Sequence, residues 1–349
     1  MMDHANSLAM STARPISSPR GEEHVTTLRK PSGDEAPASP IVLSVIISTY
    51  NARDVVADCL RSIHQNPPSE PYEIILVDDA STDGTSNIIR DRFPEVRLLR
   101  NEINRHYTIS NNRALEQARG EFLYLLNNDT IVLPQALDRM IAFLREHPEA
   151  GAVGSKLLNE DGTTQWSVRA LPNLGSALFG GRSVITRMFP KNRYSRKRLL
   201  HHDLDMNQPS VVGYVSGASK MMPRGVVEKV GQLDSDFFYH VDADYCKRMA
   251  DTGYKTYYLP TATVIHLHHK GGTMVSPRLR FRSMLSFHFD CWAYYRKHLR
   301  QAAWIPMRIL VPVGLVSHFL AQAALQGCSE LVRIARRSRI SRRPHTLGL

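Results

Sequence analysis

Hydrophobic and polar positions alternate along this chain in two distinct rhythms. IVLSVIIST (Ile41–Thr49) is a nearly unbroken apolar run rich in β-branched residues, as expected of a strand buried on both faces. RDVVADCLRSIHQ follows with apolar positions at helical spacing. The same alternation then repeats. EIILVDD reads as a strand, DGTSNIIRDRF as a helix, VRLLR as a short strand and TISNNRALEQARG as a helix. EFLYLLNND is a further strand, PQALDRMIAFLREHP a helix and AGAVGSKLL a strand. This order predicts an α/β fold around a mostly parallel sheet.

Beyond Leu158 the rhythm weakens. NEDGTTQWS predicts a turn or hairpin, and FGGRSVITRMFPKNRYSRKRLLHHD is basic and irregular, suited to a loop over a site. VVGYVSGASKMMPR reads as strand and turn, GVVEKVGQLD as a helix, and YCKRMADTGY as a helix ending near Gly253. KTYYLPTATVIHLHH predicts strand segments broken at Pro260. The C-terminal third changes character. RLRFRSMLSFHFDCWAYYRKHLRQAAW is a long helical stretch mixing basic and aromatic residues. Ile309–Leu325 then runs 17 residues without Asp, Glu, Lys or Arg, and LVRIARRSRISRRPH follows with six arginines. That apolar run is a little short of the ~20 residues a spanning helix needs. An apolar segment flanked by arginines suits a helix lying in a membrane interface. A core helix with a solvated basic tail gives the same pattern.

The formal net charge of the 349-residue chain is +11, which points to an anionic partner: nucleic acid, an anionic membrane surface or a phosphorylated substrate. Cys59, Cys246, Cys291 and Cys328 form no CxxC spacing, which argues against a zinc ribbon or a disulfide scaffold and fits a reducing compartment. The N-terminal segment lacks the apolar stretch of a signal peptide, so a non-secreted protein is expected. Residues 1–40 are rich in Ser, Pro, Ala and charge and predict a disordered tail.

Candidate chemistry gathers where strands end, because open parallel sheets bind ligands outside the carboxyl ends of their strands. Ser48–Asn51, Asp78–Asp79 and Asp129 all fall at such ends. Asp78 and Asp79 head DDASTDGT, which suits a capped turn and equally suits acceptors for a base or ribose. Asp129 closes NND after a strongly apolar strand, either as part of a turn or as a carboxylate for a divalent cation that keeps water and phosphate oxygens. In HLHHKGGT, His266 and His268 share a strand face while His269 falls in the loop, so one histidine meeting a metal is plausible chemistry and a full zinc site is not. FFYHVDADYCKR holds Asp242 and Asp244, and its Asp-x-Asp spacing fits a metal ligand pair, a base or a helix cap.

Six blocks, SVIISTYN, EIILVDDASTDGT, NNRAL, YLLNNDTIVLP, FFYHVDADYCKRMADTGY and VIHLHHKGG, occur in this order, and YYRKH follows. Together they resemble the family 2 glycosyltransferases, inverting enzymes of GT-A fold, and within them the bacterial rhamnosyltransferase-like branch that builds cell-surface polysaccharides. The resemblance spans about Leu43 to Arg300. It implies a GT-A catalytic domain over residues 41–275, while the apolar and arginine patterns predict a helical, membrane-interfacial extension over 276–330 and a basic tail over 331–349. It also implies a nucleoside-diphosphate sugar as donor, a glycan or lipid-linked acceptor, and Mg2+ or Mn2+ as cofactor.

By the same resemblance, Thr49, Tyr50, Asn51, Asp78 and Asp79 contact the base and ribose, and Asn111, Asn112 and Asn128 lie on the donor side. Asp129, the last residue of the family's DxD motif, and His266 meet the metal on the donor diphosphate. Asp242 stands at the Asp of the family's Glu-Asp pair and is the expected general base, whereas Asp244 is expected to cap the helix or support the loop. The Glu of that pair is Val241 here, the DxD reads Asn-Asn-Asp, and HYTIS (His106–Ser110) replaces the usual Gly-Phe-Ala stretch. The implied location is cytoplasmic and peripheral at the inner face of the membrane. Three other readings stand further off. One is a relative that binds nucleotide or glycan without catalysis, motivated by Val241. Another is a nucleic-acid binder, motivated by the charge but lacking any motif. A nucleotide-sugar dehydrogenase is disfavoured, since no GxGxxG follows the first strand.

Overall fold

Strands β1 (Leu43–Thr49), β2 (Tyr72–Asp78) and β4 (Phe122–Asn127) are the apolar runs, and their side chains divide strictly by parity between two cores. Val45, Ile47, Ile74, Leu76, Tyr124 and Leu126 face one cluster. Ile46, Ile75, Val77, Leu123 and Leu125 face the other. A strand with both faces buried needs no polar alternation, which is why these segments read as continuous apolar runs. The computed structural model describes residues 40–174, 204–267, 277–301 and 303–341. The expected N-terminal tail up to residue 39, the basic loop before Leu204, His268, His269 and the last residues of the basic tail lie outside the described residues.

The first core is covered by α1 (Arg53–Gln65) and α4 (Ala136–Glu146), through Val56, Leu60, Ile63, Leu137, Met140, Ile141 and Leu144. The second is covered by α3 (His106–Gln117), α5 (Arg224–Val230) and α6 (Val241–Asp251). Short elements α2 (Thr85–Arg92) and β3 (Arg97–Arg100) complete the parallel half, in spatial order β3-β2-β1-β4. Gly120 enters β4 so close to β1 that a Cβ there would stand 2.5 Å from the Ser44 amide nitrogen.

The sheet continues as β11-β6-β12-β5. Here β11 (Ser219–Pro223) runs antiparallel to both β4 and β6 (Ala150–Leu158). Strand β12 (Lys255–His266) runs parallel to β6 and antiparallel to β5 (Thr130–Val132). Strands β7 (Thr164–Gln165) and β9 (Ser210–Val212) pair with β6 and β12, and β8 (Val168–Arg169) with β10 (Tyr214–Val215) forms a small second sheet. The expected hairpin is the β6–β7 turn, with Leu158 opposite Thr164. The expected break at Pro260 is absent. β12 runs through it as one strand, because a register shift against β6 between Leu259 and Thr263 leaves Pro260 out of the ladder.

After β12 the described chain forms α7 (Pro277–Tyr294), a π-helical turn (Tyr295–Leu299) and α8 (Ile305–Ser341). A buried ion cluster ties this extension to α6. The fully buried Asp244 accepts from His298 Nε2 at 2.7 Å, from Lys297 Nζ at 2.8 Å and from Arg248 Nε at 2.9 Å. The expected N-cap role for Asp244 is not what the structure holds: the residue before α6 is His240, no side chain caps the helix, and Asp244 sits inside its first turn. A second acid acts on the segment before α6. Asp290 of α7 accepts from the backbone N–H groups of Phe238, Tyr239 and His240, at 2.9 Å for the first and last.

Burial raises the Asp244 carboxyl, but the bonds from His298, Lys297 and Arg248 outweigh it and bring the pKa down to about 2. A lowered folded pKa makes the stabilisation present above the unfolded value near 4 and lost as pH falls through about 2. Its magnitude is on the order of 2 kcal/mol. Urea unfolding of Asp244→Asn should therefore show that loss at neutral pH, narrowing between about pH 4 and about pH 2. Equal midpoints for variant and wild type at neutral pH would contradict a structural role for the cluster.

Candidate active site

Because β1, β2 and β4 are parallel and in register, their carboxyl ends open at one edge, with Thr49 opposite Asp78 and Ser48 opposite Asn127. The loops leaving this edge are stitched together. Asn51 donates its N–H to Ser81 Oγ at 2.9 Å and accepts from the Thr82 N–H at 2.8 Å. Ala52 N–H donates to Thr85 Oγ1 at 3.2 Å, and Arg53 N–H to Asp83 Oδ2 at 3.1 Å. Among the described residues, Asn51, Ala80 and His106 are three of the four non-glycines in the left-handed backbone region, and all three lie in these loops. Strain of this kind persists where surrounding bonds over-determine it.

Both strand-end carboxylates of β2 are used inside the protein. Asp78 is fully buried and accepts from the Ser81 N–H at 2.9 Å, from Arg100 Nη1 at 3.0 Å and from the Ser86 hydroxyl. Asp79 accepts from Asn101 Nδ2, Arg105 N–H and His106 N–H, each at 2.7 Å. The Asp79 carboxylate thus folds the loop that enters α3. Tyr50, by contrast, leaves half of its side chain exposed at the mouth of the edge.

The asparagines separate. Asn128 Nδ2 donates to Thr49 Oγ1 at 2.8 Å, joining the ends of β1 and β4. Asn111, buried, donates to Ser48 Oγ at 3.1 Å and to the Tyr107 carbonyl at 2.8 Å. Asn112 is turned elsewhere: its amide exchanges two bonds with the Leu233 backbone, at 2.8 and 3.0 Å.

Two corners of the edge carry acid–base or metal-type chemistry. In the first, β5 and β12 bring Asp129 to His266, with Asp129 Oδ1 3.3 Å from His266 Nε2. The imidazole Nδ1 lies 2.7 Å from Gln165 Oε1, and Gln165 Nε2 is directed to Asn159 Oδ1 and the His266 carbonyl. Asn127 Nδ2 also lies 3.3 Å from His266 Nε2. One carboxylate and one imidazole fit a divalent ion that completes its shell with water and phosphate oxygens. No cluster of three or more His, Cys, Asp or Glu side chains suited to a metal occurs among the described residues.

In the second corner stands Asp242, in the first turn of α6. Its Oδ2 accepts the Gly217 N–H at 2.7 Å, and its Oδ1 is 2.6 Å from Nζ of Lys220, a fully buried lysine of β11. Asp242 itself keeps 19% of its side chain exposed. The Tyr107 hydroxyl donates to the Gly217 carbonyl at 3.3 Å. Burial pushes that phenol well above the usual tyrosine range and the charge on Asp242 adds to it, so Tyr107 stays a neutral donor. Gly217 has no room for a side chain, since a Cβ would meet Tyr107 Oη at 2.6 Å and Asp242 Oδ1 at 2.8 Å. The two corners adjoin through the sheet: Asn127 N–H donates to the Ala218 carbonyl at 3.1 Å, one residue from Gly217.

Lys220, Tyr107, Gln165 and Asp290 were not singled out by sequence patterns. A lysine inside SKMMP was a usable signal, because lysine is almost never fully buried unless paired. Tyr107 lies in the HYTIS segment, where the family pattern is already broken. Gln165 and Asp290 sit in segments whose register only the folded sheet defines.

Comparison with known proteins shows the family and the fold. Residues 44–231 match the family described as glycosyl transferase family 2. Over 248 residues the chain is 30% identical to the N-acetylglucosaminyl-diphospho-decaprenol L-rhamnosyltransferase of Mycobacterium tuberculosis, covering 66% of this chain and 76% of that one. It is 32% identical over 110 residues to the poly(ribitol-phosphate) beta-glucosyltransferase of Bacillus spizizenii, covering 30% of this chain and 17% of that one. The mannosyltransferase of Pyrobaculum calidifontis, solved in complex with GDP-Man and Mn2+, superposes with a TM-score of 0.51 at 18% identity, covering 88% of this chain and 84% of that one. The fold is that of the GT-A glycosyltransferases, and the chain belongs to glycosyl transferase family 2.

Proposed function

We propose that this glycosyltransferase moves a sugar from a nucleoside-diphosphate donor to a hydroxyl of a glycan or lipid-linked acceptor, inverting the anomeric centre, in cell-surface polysaccharide synthesis. The observation that carries the reading is the pair of adjoining corners, one with Asp129 and His266, the other with Asp242. Thr49, Tyr50, Asn51, Asp78 and Asp79 form the nucleotide end, with the exposed Tyr50 ring available to a base and the two aspartates holding the loops in shape. Asn128 and Asn111 hold the strand ends beneath the donor. Asn112, bonded to Leu233, supports that side from behind.

Asp129 and His266 would hold the Mg2+ or Mn2+ ion, which supplies Lewis-acid stabilisation of the departing diphosphate when bound. Asp242 takes the proton as the acceptor O–H bond breaks. The new bond forms from the acceptor oxygen to the anomeric carbon. The bond to the diphosphate breaks on the opposite side and its electron pair leaves with the nucleotide. The backbone N–H of Gly217 holds one oxygen of Asp242 throughout.

The lipid-linked form of the acceptor rests on the C-terminal helices and on the Mycobacterium tuberculosis relative, named for a diphospho-decaprenol substrate. By length and composition Ile305–Leu325 could cross a membrane, and only 11% of it is buried. Ile305, Ile309, Leu310, Val313 and Leu320 are exposed. Between α7 and α8 lies an apolar groove of about 330 Å³, lined by Leu285, Phe289, Trp292, Leu315, Val316 and Phe319. We read the apolar part of α8 as lying in the cytoplasmic membrane interface, with the arginine-rich sequence after Leu325 drawn to anionic lipid.

With purified protein, a nucleotide-sugar panel and Mn2+, Asp242→Asn should lower turnover about 10²–10⁴-fold while leaving donor affinity within about twofold. Turnover near wild type would remove Asp242 as the base. In calorimetry, Asp129→Ala should bind donor with Mn2+ about as weakly as the wild type does without it; an undiminished Mn2+ effect would place the ion elsewhere. The full chain should float with vesicles containing anionic lipid and be released by alkaline carbonate. Ile309→Glu with Val313→Glu should abolish flotation. Retention through carbonate would indicate a spanning helix, and no flotation of wild type would remove the membrane reading.

A further inference from the structure

Lys220 is fully buried in the middle of the sheet, with its backbone opposite Leu125 on one side and Gly154 on the other. On the same face of β11, Met222 belongs to the apolar core that also contains Val241, Tyr245 and Cys246. An ammonium group in such a place costs several kcal/mol unless it is paired. Its partner is Asp242, at 2.6 Å, and the Tyr245 ring lies with its centroid 5.4 Å from Nζ. An apolar residue of similar volume would cost the fold less. A lysine here is therefore explained by what it does to Asp242.

We propose that Lys220 is a positioning residue for the base, a role that rests on the reading of Asp242 as that base. The carboxylate is held at two points, Oδ1 by the Lys220 ammonium and Oδ2 by the Gly217 N–H. That fixes its plane and rotamer beside the donor-metal corner. At the preceding position, where the family pattern has a glutamate, this chain has Val241, and its side chain is buried in the apolar core. Support from a neighbouring carboxylate is gone, and a cation from β11 stands in contact with the base instead.

Lys220 also sets the charge around the base. The titratable groups facing Asp242 are Lys220 from β11, Tyr107 from α3 and Cys246 on its own helix. Burial pushes the Tyr107 phenol and the Cys246 thiol up, so both stay neutral, and Lys220 is the one cation paired with Asp242 among the described residues. An adjacent cation favours the ionised carboxylate. When Asp242 has taken the acceptor proton, Lys220 is left without its anion, which favours release of that proton.

The test is a double-mutant cycle with Lys220→Met, Asp242→Asn and the pair, read by kcat, KM for donor, the pH–rate profile, melting temperature and nucleoside-diphosphate affinity. Lys220→Met should lower kcat by about tenfold or more with KM for donor within about twofold. The acidic limb of its profile should move to higher pH. In the Asp242→Asn background, the same substitution should leave the residual rate unchanged, because its effect passes through Asp242. The proposal falls if Lys220→Met keeps the wild-type rate, if its acidic limb does not move, or if it costs the same factor in both backgrounds. Lys220→Gln, which retains a donor, serves as the variant if Lys220→Met does not fold, and the same criteria apply. An active Asp242→Asn would instead remove the base itself, an outcome read before Lys220 is considered.

Discussion

Strands buried on both faces can offer chemistry only at their ends. β1, β2 and β4 meet that condition, with apolar side chains committed to one core or the other along their whole length. At the carboxyl edge the parallel half supplies Thr49 and Asn51, Asp78 and Asp79, and Asn127 to Asp129. The mixed half adds what the parallel half cannot. β11 turns back against β4 and delivers Gly217 and Lys220, and β12 turns back against β5 and delivers His266. A site for a glycosyltransferase arises where these two kinds of strand pairing meet.

The acids around this edge are bonded by different means. Asp78 has an arginine and a loop N–H, Asp79 has two backbone N–H groups and an asparagine, and Asp244 has three cationic or imidazole partners. Asp290 relies on three backbone N–H groups, with the His240 imidazole 3.9 Å away, and there burial wins: its carboxyl is pushed up. Asp242 has one buried cation, one backbone N–H and an open side toward solvent.

Much of this was legible in the sequence because the strongest signals are local. Continuous apolar runs gave the buried strands, helical spacing gave α1, α3 and α4, strand ends put Asp78, Asp79 and Asp129 at one edge, and Asp242 came from the family resemblance. What escaped depends on pairing across long stretches of chain. Lys220 meets Asp242 across 22 residues, and Gln165 meets His266 across 101. Asp244 looked like a cap because its spacing allows one, yet its partners Lys297 and His298 come from the π-helical turn after α7. Pro260 looked like a break because a ladder bond is lost at proline, and the register shift that absorbs it has no local signature.

The three N–H groups gathered by Asp290 have a consequence for where this protein can be cut. The family match ends at residue 231, before α6 begins, which invites the view that the later helices are an add-on. Yet α7 supplies the acceptor that shapes residues 238–240, and the turn after it supplies two partners of Asp244. A chain ended after β12 would lose the brace on both sides of the first turn of α6. On these contacts the folding unit reaches at least to Leu299, and the helix that carries Asp242 is braced by the C-terminal extension.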